Sequence, residues 1–95
     1  MDALFIGVDG KLEFIQPKNR TDFSLEELYD KLNCNLVEVV YPYIHNELIL
    51  IIDEEGKLTN KKPNLVATAI FENGDPHACD YIVGDAILCH TDMFK

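Results

Sequence analysis

Short apolar runs separated by turn residues set the organisation of this chain. Ala3 to Val8 (ALFIGV) predicts a strand, Asp9-Gly10 a tight hairpin, and Lys11 to Gln16 (KLEFIQ) the returning strand. Leu12 and Phe14 share one face of that strand, and Pro17 ends it. After a polar loop, Ser24 and Glu27 have the S-x-x-E spacing of a capping box, with Phe23 and Leu28 placed as a hydrophobic staple. Leu25, Leu28, Tyr29 and Leu32 recur at helical spacing and predict one buried stripe. Glu27 and Lys31 add an exposed i, i+4 pair, and Asn33-Cys34-Asn35 ends the helix because Asn tolerates the left-handed conformation.

Leu36 to Tyr41 (LVEVVY) predicts a Val-rich strand limited by Pro42, and Glu47 to Ile52 its hairpin partner. The run Leu48 to Ile52 is too short for a stable isolated helix and has the β-branched bias of a buried strand. It stops at Asp53-Glu54-Glu55-Gly56, where a turn with positive φ at Gly56 and Asp53 accepting backbone N–H groups is expected. Asn64 stands as an N-cap before LVATAIF, a run that suits a strand through Val, Thr and Ile and a short packed helix through Ala67 and Ala69. Tyr81 to Cys89 (YIVGDAILC) predicts the last strand, with Gly84-Asp85 a bulge or close backbone approach, and Thr91 to Lys95 a loose tail. The pattern is one α+β domain spanning 1–95. It has an antiparallel or mixed sheet of about five strands, one clear helix and room for a second short one.

Charge changes the picture of partners. Seventeen carboxylates against eight Lys and Arg give −9, which opposes direct binding to nucleic acid or to an anionic membrane. An acidic surface either keeps the protein soluble or meets a basic partner. The start MDALFIGVDG lacks a basic segment ahead of an apolar core, no window has the length of a membrane span, and three cysteines without paired spacing suit free thiols. The expected setting is the cytoplasm.

Candidate chemistry is sparse. His77, Cys79, Cys89 and His90 could supply metal ligands, but adjacent strand residues such as Cys89 and His90 face opposite ways, so no metal site or cofactor is expected. Cys34 beside a helix C-terminus faces the negative end of the dipole, which disfavours a thiolate nucleophile with His45 or His77. Asp53, Glu54 and Glu55 could bind a cation or do acid–base work, but three acids before a glycine read first as a solvated turn. No catalytic constellation stands out. Lys57, Lys61 and Lys62 lie beside the Asn64 helix start, so with Thr68 they form a candidate anion or nucleotide site.

The motifs FSLEELYDKL, LVEVVY, LIIDEEGKL, Pro63-Asn64 with Ala67-Thr68, and IVGDAIL occur in this order. In order and spacing the chain resembles an uncharacterised domain-of-unknown-function family of small proteins from phages, plasmids and integrative elements of bacteria. The resemblance covers roughly residues 23 to 89. Where that family often has a Gly-Gly pair after the helix, this chain has Cys34-Asn35. The resemblance implies a similar fold and a mobile-element origin, and it brings no activity or catalytic residue. The expectation is a non-enzymatic protein that binds and modulates a host protein, with a small-ligand site at Lys57 to Thr68 as the alternative.

Overall fold

A computed structural model describes residues 2–42, 47–72 and 81–94. Strands β1 (Ala3–Ile6), β2 (Leu12–Ile15), β3 (Val37–Val40), β4 (Leu48–Asp53) and β5 (Ala86–His90) form one antiparallel sheet in the order β2-β1-β5-β4-β3. Helices α1 (Leu25–Leu32) and α2 (Leu65–Glu72) complete an α+β fold. No helix among the described residues is long and apolar enough to cross a membrane.

Strand alternation divides the core between the two faces of the sheet. Ala3, Ile49, Ile51, Ile87 and Cys89 point to one side, where Leu28 and Leu32 of α1 cover them with Phe23 and Met93. Ile6, Leu50, Ile52 and Ala86 point to the other, beneath Ala67, Ile70 and Phe71 of α2. Each fully buried Leu or Ile contributes about 1.5–3 kcal/mol, so the central strands β4 and β5, apolar on both faces, anchor the fold.

LVATAIF, which suited either a strand or a short helix, is helical, because Asn64 caps it and Ala67 packs flat on the sheet. Other elements depart from the sequence-based expectation. Leu25 is exposed although it shares the helical face of Leu28 and Leu32, because it is the first helical residue, a turn before the pair that packs on the core. The capping box is half formed: Ser24 Oγ accepts from Glu27 N–H, whereas the Glu27 carboxylate accepts from Lys18 N–H and so braces the preceding loop. The helix ends at Asn33, φ 51°, as expected. The last strand is shorter than Tyr81 to Cys89, since Gly84 at φ 78° breaks the extended run before Ala86. The C-terminal segment is not loose. Thr91–Met93 forms a 3₁₀ turn, Met93 is fully buried, and Phe23 N–H donates to Met93 O at 2.8 Å.

Among the described residues no further strand pairs with either edge of the sheet, and the ladder fixes which residues face outward. Gly7 N–H donates to Lys11 O, so the bonded pairs with β1 continue through Phe5–Glu13 and Ala3–Ile15. The backbone groups of Leu12 and Phe14 therefore point away from β1. At the other edge Glu54 N–H donates to Leu36 O, which places Glu38–Ile52 and Val40–Leu50 in the bonded positions. Val37 and Val39 there turn their N–H and C=O groups outward.

Candidate functional site

The candidate residues lie in or beside the connection from β4 to α2, which wraps round the end of the sheet. The chain from Asp53 winds into helical turns: Gly56 N–H donates to Asp53 O, Thr59 N–H to Glu55 O, and Lys61 N–H to Gly56 O at 2.9 Å. Asn60, in the left-handed region at φ 60°, ends the winding. Gly56 does not have positive φ, contrary to expectation. Its glycine is required by a close approach instead, since a Cβ there would stand 2.7 Å from Val83 Cγ2.

Asp53 accepts Glu55 N–H at 2.9 Å, as a turn-initiating aspartate should. It is buried, however, unlike the solvated acid expected of this turn, while Glu54 is exposed. The reason is Lys61. Its Nζ lies 2.7 Å from Asp53 Oδ2 and donates to Leu32 O at 3.0 Å and Asn33 O at 2.7 Å. Three donors thus meet three acceptors. The ammonium closes the carbonyl end of α1, where the helix dipole favours a cation, and neutralises the buried carboxylate in the same contact.

Asn64 is fully buried and serves the opposite face. Its Oδ1 accepts Ala67 N–H at 3.1 Å to cap α2, and its Nδ2 donates to Ile6 O and Gly84 O, both at 2.9 Å. One side chain therefore joins α2 to the ends of β1 and the segment before β5. Thr68 Oγ1 accepts Ile82 N–H at 2.9 Å. Close approach at Gly84, expected from the sequence, is present: a Cβ there would meet Lys61 Cδ at 2.9 Å.

The five candidate ligand residues are thus not brought together round one opening. Lys61, Asn64 and Thr68 are engaged with the protein's own backbone and with Asp53. Lys62, exposed, borders a shallow depression with Asn33, Asn60 and Asp85. Lys57 lies elsewhere, with Nζ 4.5 Å from the Tyr81 ring centroid, a cation–π contact.

That contact belongs to a cleft of about 110 Å³ between β3 and the end of α2. Val40, Ile52, Phe71 and Val83 give it apolar walls, and Glu38 and Glu54 place carboxylates on it. Asp53 also borders the cleft, but its charge is matched by Lys61. Among the described residues, Glu38 and Glu54 outnumber Lys57 on the cleft, which lies directly beside the outward-facing backbone of Val37 and Val39. Sequence reasoning missed this site. Its members come from four separate segments, and the available signal was Glu38 interrupting an otherwise apolar strand.

Cys34 and Cys89 are ill suited to nucleophilic work. Burial, reinforced by the neighbouring Asp53 carboxylate, raises the Cys34 pKa above its ordinary value, with Lys61 opposing. Burial alone pushes Cys89 up to about 11. His90 Nδ1 accepts Asp92 N–H at 3.1 Å. His45, His77 and Cys79 lie outside the described residues, among which no cluster of three metal-ligating side chains occurs.

The family model described as Domain of unknown function (DUF3846) matches residues 1–93, so the chain belongs to that family. No curated protein and no solved structure matches it.

Proposed function

Proceeding from membership of a family without an assigned activity, we propose that this is a small, acidic, cytoplasmic and non-enzymatic protein of a phage or other mobile element that binds a host protein and modulates it. The observation that carries the reading is the β3 edge, where outward-facing backbone at Val37 and Val39 adjoins the acidic, apolar-walled cleft at Glu38 and Glu54. Such an edge suits an extended segment of a partner. Main-chain bonds would extend the sheet, and a Lys or Arg side chain would enter the cleft with its aliphatic stem on Val40 and Phe71 and its charge at the carboxylates. A net charge of −9 favours a basic partner and steers it electrostatically. The nucleotide or anion reading of Lys57, Lys61, Lys62, Asn64 and Thr68 draws less support, because three of the five are engaged internally.

The test is affinity capture from host lysate with wild type and with the double variant Glu38→Lys, Glu54→Lys. A specific partner retained by wild type and lost by a variant of unchanged melting temperature is the expected result. Failure to retain any partner, or a partner held equally by both forms, would overturn the reading. A thermal-shift screen against nucleotides addresses the alternative, since a ligand at 100 times its dissociation constant stabilises by about 2.7 kcal/mol.

A further inference from the structure

The opposite edge of the sheet has a different character. Leu12 is 55% exposed and Phe14 76% exposed, on the same side of the sheet as α2. Their neighbours across the ladder, Ile6 and Leu4, lie in the α2 core, so β2 continues that apolar face one strand beyond the helix. The backbone groups of these two residues are the ones directed outward. An exposed apolar edge with open backbone is a template for strand pairing, and native sheets ordinarily blunt it with charge or proline. Here the charges within the Lys11–Ile15 segment, Lys11 and Glu13, cancel and lie on the other side, with Lys11 Nζ 3.9 Å from Glu13 Oε1.

We propose that β2 is the seam of a homodimer, pairing antiparallel with β2 of a second copy about a twofold axis at Glu13. This register alone opposes the two outward-facing residues to each other in both directions. Leu12 meets Phe14 of the second copy, Phe14 meets Leu12, and their free backbone groups exchange hydrogen bonds. The two five-stranded sheets become one of ten strands, with both α2 helices on one side. A depression of about 220 Å³ between Gly10 and Val66 adjoins this end of the hairpin. On the other side Lys11 of each copy stands diagonal to Glu13 of its mate, so the seam carries no net charge. Self-pairing through β3 would instead oppose acids, because Glu38 is the charged residue of that strand. A seam of four residues per chain is short, so association is weak, with dissociation in roughly the micromolar range or above.

The register makes a test that simple stickiness does not share. Glu13 faces its own copy across the axis, and like charges directly opposed weaken a strand pair. Sedimentation equilibrium over a wide concentration range should show mass rising from the 10.8 kDa chain toward twice that value. Glu13→Gln should tighten association several-fold, whereas Phe14→Lys should abolish it. Leu12→Gln serves as the second disrupting variant, and circular dichroism checks that each variant is folded. A chain that stays monomeric at every concentration would overturn the proposal. So would a dimer that survives both Phe14→Lys and Leu12→Gln, or one that Glu13→Gln weakens. Glu38→Lys should leave the dimer unchanged, so failure at this edge is distinguishable from failure at β3.

Discussion

The junction from Asp53 to Asn64 and the two edge strands of the sheet treat polar groups in opposite ways. At the junction two polar side chains are turned inward: Lys61 onto Asp53 and the end of α1, Asn64 onto Ile6, Gly84 and the start of α2. At the edges, backbone groups of Leu12, Phe14, Val37 and Val39 remain directed outward beside exposed side chains. A group committed to internal partners is costly to replace and ill placed to recognise anything else. A group left open contributes little to stability and is free to bind. Lys61 and Asn64, which look chemical in sequence, are therefore structural.

The largest effect should follow from Lys61→Met. It leaves the Asp53 carboxylate buried with only the Glu55 N–H, and deprives Leu32 and Asn33 of their donor. Breaking a buried pair from one side costs about 3–5 kcal/mol, whereas the double variant with Asp53→Asn should lose less than the sum of the singles. Urea denaturation measures both. A loss under about 1 kcal/mol would mean that the junction is open to solvent and the contrast with the edges fails.

Asn64→Ala comes next, at about 2–4 kcal/mol, from the lost α2 cap and two buried carbonyls without a donor. Asn64→Asp sharpens the point. Asp can still cap α2, but it presents a second oxygen to the Ile6 and Gly84 carbonyls. It should therefore be at least as damaging as alanine in the same denaturation experiment, although an ordinary exposed N-cap would accept it without loss.

How much of this was legible follows the range of the interactions. The sheet, α1 and the Asn33 stop were readable because capping, turn and alternation rules act within a few residues. The N-cap role of Asn64 was readable for the same reason. Its two bonds to Ile6 and Gly84 were not, because their partners stand 58 and 20 residues away. Lys61 reached across 28 and 29 residues to α1, so a basic patch in sequence concealed a helix-end clamp. The cleft at Glu38 depends on β3 lying at an edge, a property of strand order rather than of any one strand. Leu12 and Phe14 were rightly placed on one face, but alternation does not say whether a helix covers it.

Gly56→Ala probes the junction more gently and separates two reasons for a glycine. The position carries no positive φ, so alanine meets no backbone penalty, but its Cβ would meet Val83 Cγ2 at 2.7 Å. Overpacking of this kind costs about 1–3 kcal/mol. Val83→Ala should therefore rescue part of the loss when combined with Gly56→Ala, read as a positive coupling in a double-mutant cycle. Two losses that simply add would return the explanation to the backbone.

The smallest stability effects belong to the edges, and there the comparison is sharpest. Glu13 and Glu38 sit in equivalent settings, each a carboxylate on an exposed strand between apolar neighbours. Neither anchors the core, so Glu13→Gln and Glu38→Lys should each stay within about 0.5 kcal/mol of wild type. Their binding consequences should nevertheless cross. At β2 the carboxylate faces its own copy, so neutralising Glu13 removes a repulsion and strengthens self-association while leaving a β3 partner untouched. At β3 the carboxylate draws a basic segment, so reversing Glu38 removes an attraction and slows capture of that partner while the dimer persists. Raising the salt concentration should act in the same two directions in wild type, screening the mutual repulsion of two copies that each carry −9 and the attraction of a basic segment at β3. One titration series, with sedimentation and partner capture read on the same samples, contains both signs. If salt moved the two readouts the same way, the edges would not be electrically distinct, and a single sticky surface would explain them better than a seam and a docking edge.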